Sequence, residues 1–159
     1  MSTRVGFGYD SHTFGAGRPL KLGGIEIPHT TGLKGHSDGD AVTHAVTDAL
    51  LGAAALGDIG RLFPDSDPRW KDADSLAFLA DVRDRVLRAG FRVVNVDATV
   101  VTQHPRLAPH ATAMCERLAT VLRIPADAVS IKAKTNEGMD AVGRGEGLLV
   151  LAVATLDEA

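Results

Sequence analysis

Asp10 and His12 stand one residue apart in the stretch GYDSHTFGAG, residues 8–17, and both side chains can ligate a metal ion. In extended backbone successive side chains alternate faces, so residues two apart point the same way and can grip one ion together. A third compatible side chain, His44, lies four residues after Asp40 on the polar flank of an apolar stripe. One carboxylate and two imidazoles make a donor set that zinc accepts. Three protein ligands leave a position open for substrate, whereas structural zinc usually takes four, often cysteines. The chain has one cysteine, Cys115, so no cysteine cluster competes with that reading. The spacing alone fits a plainer picture equally well: Asp10 capping a turn, His12 in an ordinary loop and His44 on a solvated helix face.

Whichever holds, particular elements must position these residues. The run RVGFG, residues 4–8, predicts a first strand with Asp10 and His12 at its end. Gly6 and Gly8 let that end bend and pack closely. Ser37 with Asp40 three residues on resembles a capping box. The helix it opens would carry Val42, Ala45, Val46, Ala49, Leu50 and Ala53 as its apolar stripe and stop near Gly57. A second helix is predicted over 75–89, capped by Asp74 or Ser75 and closed by Gly90, and a third over 109–122, ending before Pro125. LKLGGIEIP reads as a hairpin turning at Gly23 and Gly24, and FRVVNVDATVVT, VSIKAK and GLLVLAVATL as further strands. With no repeat and no low-complexity linker, these elements predict a single domain over residues 1–159. Its class is α/β (α+β layered), with a mixed sheet of about four to five strands and helices on one face.

Composition narrows the functions. The chain has 159 residues, 45% hydrophobic, enough for a real core. A net charge of -3 with interspersed signs advertises no basic face to nucleic acid or to an anionic membrane. The N-terminus has no apolar core of signal-peptide length, and the longest apolar run, residues 147–156, is too short to span a bilayer. A lone cysteine suits a reducing compartment, so a soluble cytoplasmic protein is expected.

The glycine-rich stretches are not the familiar nucleotide loops. GFGYDS has Ser11 where the third glycine of a dinucleotide fingerprint belongs, and GRGEG at 143–147 leads into a strand instead of a helix. No P-loop pattern occurs. Phosphates would have to be held by metals, loop amides and a few side chains. GDIGRLFPDSDP, residues 57–68, reads as a loop whose acids Asp58, Asp65 and Asp67 suit hydroxyl binding or metal support, or simply a solvated turn. KTNEGMDAVGRGEG, residues 134–147, is similar: Thr135 and Glu137 suit phosphate and a hard cation, or decorate a loop.

Taken in order, GYDSHTF, GLKGHSDGDAVTHAVTDALLGAAALGDIGRLFPDSDP, NVDATVVTQHPRLAPH and KAKTNEGMDAVGRGEG resemble the 2-C-methyl-D-erythritol 2,4-cyclodiphosphate synthase family of the non-mevalonate isoprenoid pathway. The likeness runs over residues 4–153, and the block from HSDGD to GDIGRLFPD is its most specific part. It implies a homotrimer with active sites between subunits. The implied reaction cyclises 4-diphosphocytidyl-2-C-methyl-D-erythritol 2-phosphate and releases CMP. It also implies zinc on Asp10, His12 and His44, and Mg²⁺ or Mn²⁺ on Glu137.

The same resemblance assigns His36 and Thr135 to polarising the reacting phosphates, with Ser37 beside His36. Asp58, Ile59 and Gly60, then Phe63, Pro64, Asp65, Ser66 and Asp67, match the segments that hold the methylerythritol and flank the phosphates. Thr102, Gln103, His104, Pro105, Arg106, Leu107 and Ala108 match the cytidine segment, continued by Lys134, Thr135 and Asn136, with His104 as a pocket or solvent residue. Arg144 matches a binding position, and Ala141 stands where a bulky aromatic is often found near the nucleotide. Lys134 replaces a small or hydroxyl residue, and Leu151 replaces an acid seen in some members near the trimer axis.

Overall fold

The computed structural model describes residues 2–159. The alternation seen in GFGYDSHTF extends a single strand, β1 (Arg4–Gly15), well beyond RVGFG. Asp10 and His12 therefore lie within the strand and not at its end, because pairing continues past them: Asp10 faces Val150 and His12 faces Leu148. After β1 come the hairpin β2 (Leu20–Leu22) and β3 (Ile25–Ile27), the short β4 (Gly32–Leu33) and helix α1 (Ala41–Ala54). A one-turn helix α2 (Ile59–Leu62), α3 (Ser75–Arg88), β5 (Phe91–Val101), α4 (Ala111–Leu122), β6 (Val129–Lys134), the short α5 (Asp140–Gly143) and β7 (Gly147–Glu158) complete the chain.

Five strands form one mixed sheet in the order β4-β1-β7-β5-β6, parallel only between β5 and β6. The hairpin is a separate two-stranded piece whose Gly23 and Gly24 both take positive φ, as a tight turn of this kind requires. Alternate residues of the sheet, among them Val96, Ala98, Val100, Val150, Ala152 and Ala154, are buried under the helices. The other face leaves Val5, Phe7, Tyr9, Leu151 and Val153 exposed, with Phe7 at 62% and Tyr9 at 52%. The expected layer of helices on one face of a mixed sheet is what forms. Among the described residues no helix is long and apolar enough to cross a membrane.

Gly6 and Gly8 are explained by close approach and not by a bend. A Cβ on Gly6 would lie 1.9 Å from the Ala49 carbonyl oxygen, and one on Gly8 would lie 1.8 Å from that of Ala45. Helix α1 thus rests directly on the β1 backbone, which brings its first turn beside Asp10. Three boundaries differ from expectation. Asp40 itself caps α1, its side chain accepting from the Thr43 N–H, and Ser37 turns away from that role. The helix closes at Ala55 in the left-handed region, before Gly57. Pro109 sits in a 3₁₀ turn that precedes α4 instead of opening it.

Candidate active site

Asp10 and His12 share the parity of Gly6 and Gly8 along β1, so both face the helix layer. His44, in the first turns of α1, meets them there. Asp10 Oδ2 lies 2.8 Å from His12 Nε2 and 3.1 Å from His44 Nδ1, and the two imidazole centroids are 5.6 Å apart. One ligand atom from each residue falls within 4.8 Å of the others. His12 Nδ1 sits 2.5 Å from the Lys34 carbonyl oxygen, an acceptor only, so that nitrogen donates and leaves Nε2 facing inward, donating to Asp10 when protonated and free to ligate a metal when not. Burial alone would raise the Asp10 carboxyl, but hydrogen bonds and charge attraction from His12 and His44 hold it below its ordinary value. Burial would likewise lower His12, and the hydrogen bond and charge of Asp10 raise it instead. Each group is thus stabilised in its charged form by its neighbours, and a cation among them would replace these mutual contacts. The donor set, two imidazole nitrogens and one carboxylate oxygen, fits zinc with a position to spare.

Around the triad lies a cleft of about 190 Å³ lined by His36, Ser37, Ile59, Gly60, Phe63 and Asp65 together with Trp70 and Phe78. Phe63 and Phe78 stack at 4.2 Å, and Trp70 stands edge-on to both at 5.3 and 5.6 Å. The segment read as plain loop over 57–68 therefore contains structure. Asp58 caps α2 by accepting from the Arg61 N–H at 2.9 Å, and Asp48 of α1 accepts from the Ile59 N–H at 2.7 Å. His36 Nε2 is 3.1 Å from the Asp67 carbonyl oxygen. The Asp67 carboxylate is occupied by Arg69 at 2.6 Å, and neither it nor Pro64 nor Ser66 lines the cleft.

A second cavity, of about 200 Å³, gathers Thr102, Gln103, Pro105, Arg106, Leu107, Ala108, Lys134 and Thr135. His104 is not among its walls; its carbonyl accepts from the Thr102 hydroxyl at 2.6 Å. Leu107 contributes to the core as well, being 2% exposed. Beyond Thr135, the Asn136 amide donates to the Met139 carbonyl at 2.8 Å, and the Glu137 N–H donates to the Thr135 hydroxyl at 3.3 Å. The Glu137 carboxylate is exposed. Arg144 pairs with Glu146 at 2.9 Å, while Ala141 borders a groove with Ser11, Thr13 and Lys34.

The two cavities lie apart across the strands of the sheet. Ser11 pairs with Leu149, Leu149 with Val101 and Val101 with Lys134, so both sites sit at one level but three strand steps apart. At about 4.8 Å per step that is roughly 14 Å. Within the chain the structure joins His36 to the triad and Thr135 to the 102–108 segment, and keeps the two groups apart.

Residues 3–157 match the family model described as the YgbB family. The chain belongs to that family. A 2-C-methyl-D-erythritol 2,4-cyclodiphosphate synthase from Gemmatimonas aurantiaca is 58% identical over 153 residues, covering 96% of this chain and 92% of the relative. The bifunctional IspDF from Campylobacter jejuni superposes with a TM-score of 0.96 at 42% identity, over 99% of this chain and 43% of that longer one. A solved 2C-methyl-D-erythritol-2,4-cyclodiphosphate synthase in its CDP-bound form gives 0.88 at 42% identity, over 97% of this chain and 100% of the other. The resemblance read from GYDSHTF and the HSDGD block is borne out, and with it the enzyme class and the fold.

Sequence reasoning passed over four residues that the geometry makes prominent. Trp70 and Phe78 build the aromatic wall, and although positions 63, 70 and 78 are 7 and 8 apart, Pro64 and Pro68 break any one helix that would signal it. Asp38 and Ser75 stand behind His44; Asp38 lies inside the HSDGD block, the one available signal, and Ser75 offered only its place as a helix cap.

Proposed function

We propose that this chain converts 4-diphosphocytidyl-2-C-methyl-D-erythritol 2-phosphate to 2-C-methyl-D-erythritol 2,4-cyclodiphosphate and CMP. The observation that carries the reading is the convergence of Asp10, His12 and His44 at the floor of a cleft, in a chain of this family. In the reaction an oxygen of the 2-phosphate bonds to the β-phosphorus. The bond from that phosphorus to the bridging oxygen breaks, and CMP departs with the oxygen. Since the nucleophile is already part of the substrate, the protein needs to position phosphates and neutralise charge. Asp10, His12 and His44 would hold zinc and Glu137 a Mg²⁺ or Mn²⁺, which would supply Lewis-acid charge neutralisation to a substrate that this acidic chain otherwise repels. Glu137 suits such an ion because its exposed carboxylate makes no ion pair among the described residues, and hard cations commonly take one carboxylate plus substrate phosphates.

His36, Ser37 and Thr135 offer hydrogen bonds to phosphate oxygens, the first two beside the triad and the last beside the second cavity. The aromatic wall and Ile59 exclude water around the methylerythritol, which keeps ring closure ahead of hydrolysis. The second cavity is the cytidine site, consistent with a relative that binds CDP.

The separation of the two cavities supports a closed ring. One subunit's triad would complete its site with a neighbour's 102–108 segment through head-to-tail contacts, and the resemblance sets the number of subunits at three. The exposed stripe of Phe7, Tyr9, Leu151 and Val153 is apolar surface of the kind that assemblies cover. The mass in solution should be that of three chains; a monomer with full activity would refute the ring. An unpaired Cys115 suits the cytoplasm.

CMP release from the cytidine substrate, with and without chelator, tests the whole reading. One cyclic diphosphate per CMP, lost on chelation and restored by zinc with Mg²⁺ or Mn²⁺, is expected. Linear phosphates instead would mark a zinc phosphohydrolase that activates water on the same triad.

A further inference from the structure

The geometry points to Ser75 and Asp38 as positioning residues that fix which nitrogen of His44 faces the metal. Ser75 is fully buried, so its hydroxyl serves no substrate. That hydroxyl lies 2.7 Å from His44 Nε2 and also donates to Asp38 Oδ1. A serine has one hydroxyl proton, and a carboxylate can only accept. With the proton committed to Asp38, the serine oxygen can only accept from His44, so Nε2 must carry the imidazole proton. Nδ1, 3.1 Å from Asp10, is then the nitrogen that faces the triad and is left for the metal.

Asp38 is itself held in place for this task. Its Oδ2 accepts from the Ser75 backbone N–H at 3.0 Å and meets the Lys21 ammonium at 3.3 Å, while Oδ1 accepts from the Asp40 N–H at 3.1 Å. The nearby Asp40 carboxylate cannot substitute, because its oxygens are taken up by Gly23, Gly24 and Thr43. Ser37 Oγ, at 3.1 Å from Nε2, is a longer second acceptor at the cleft. His12 reaches the opposite tautomer through the Lys34 carbonyl, so the two imidazoles present different nitrogens to one point. Partners of this kind orient a ligating ring and raise its basicity, and losing one typically costs about 10–100-fold in metal affinity.

This inference rests on reading the triad as a metal site, and the test separates the two. Zinc affinity of the full chain is measured by competition with a chromophoric chelator for the wild type, His44→Ala, Ser75→Ala and Asp38→Asn. In parallel, long-range ¹⁵N–¹H correlations report the His44 tautomer in the metal-free wild type and in Ser75→Ala. The expected results are a dissociation constant raised about 10–100-fold in Ser75→Ala and at least about tenfold in Asp38→Asn. His44 Nε2 should be protonated in the wild type, and in Ser75→Ala that proton should be partly lost to Nδ1, where Asp10 is the competing acceptor. If His44→Ala binds zinc as tightly as the wild type, the metal-site reading falls and this inference with it. If His44→Ala loses zinc while Ser75→Ala and Asp38→Asn bind within twofold of the wild type, this inference alone is overturned, and Ser37 suffices. A wild-type Nε2 that carries no proton overturns it whatever the variants do, so the test stands even if Ser75→Ala fails to fold.

Discussion

Replacing His44 with alanine is expected to cut CMP release by at least about 10³-fold while the chain keeps its fold. A thousandfold loss corresponds to about 4 kcal/mol of transition-state stabilisation, within the several kcal/mol that a Lewis-acidic metal contributes to phosphate chemistry. The substitution leaves one carboxylate and one imidazole, Asp10 and His12, too few protein donors for a catalytic zinc site. The structural cost is smaller. His44 donates through Nε2 to Ser75, with Ser37 as a longer second acceptor, and touches Asp10 through Nδ1; its loss strands the acceptor on a buried Ser75. That penalty is about 1–3 kcal/mol against a total of 5–15 for a domain of this kind. Circular dichroism should therefore show native helix content and a modestly lowered melting temperature, and metal analysis should show the zinc gone. Turnover within tenfold of the wild type would refute the assignment. Unfolding of the variant would favour a different role for the triad, a staple holding β1 against α1.

Each spacing in the triad has a local physical meaning, but that meaning fits a plainer picture equally well, and only the resemblance carried by the HSDGD block singles out the metal site. Asp10 and His12 share a face of any extended segment, and His44 falls in the first turns of a helix that Val42, Ala45, Val46 and Ala49 define by period alone. The hairpin was legible on its own, since Gly23 and Gly24 supply the positive φ values its turn needs. What escaped was set by partners distant in sequence. Strand β1 runs on to Gly15 because β7 continues to pair with it, a contact 136 residues away between His12 and Leu148. Ser37 and Asp40 fit a capping box by type; only the arrival of the β2–β3 turn decides that Asp40 is the cap and leaves Ser37 for His44. The aromatic wall joins three positions from a loop, a 3₁₀ turn and α3, which no single helix carries despite their spacing of 7 and 8. Strand order, equally invisible in any one motif, is what parts the 102–108 segment from the triad.

Asp40→Ala is expected to destabilise the chain more than any substitution in the triad. Asp40 is fully buried and accepts four hydrogen bonds: Gly23 N–H at 2.8 Å and Thr43 N–H at 3.0 Å on Oδ1, and Gly24 N–H and Thr43 O–H, both at 2.7 Å, on Oδ2. Burial pushes its carboxyl up, and bonds from Thr43 and Gly24 draw it part of the way back. With alanine, the cap of α1 is lost, at about 1 kcal/mol. The donors of the β2–β3 turn are stranded in a dry interior, at about 1–3 kcal/mol each where water cannot reach them. The total, about 3–7 kcal/mol, should lower the melting temperature by roughly 6–28 °C at 2–4 °C per kcal/mol for a chain of this size. Asp40→Asn gives a sharper test. Its oxygen can keep Gly23 and Thr43 N–H, and the Thr43 hydroxyl can turn to accept from the new amide, so only the Gly24 N–H is left facing a donor. About half the loss is expected. Equal melting temperatures for the two variants would mean that the carboxylate's charge, and not its four acceptor sites, holds the turn. Since the same residue anchors the loop bearing His36 and Ser37 and the helical turn bearing His44, Asp40→Ala should also lose turnover well below its melting temperature.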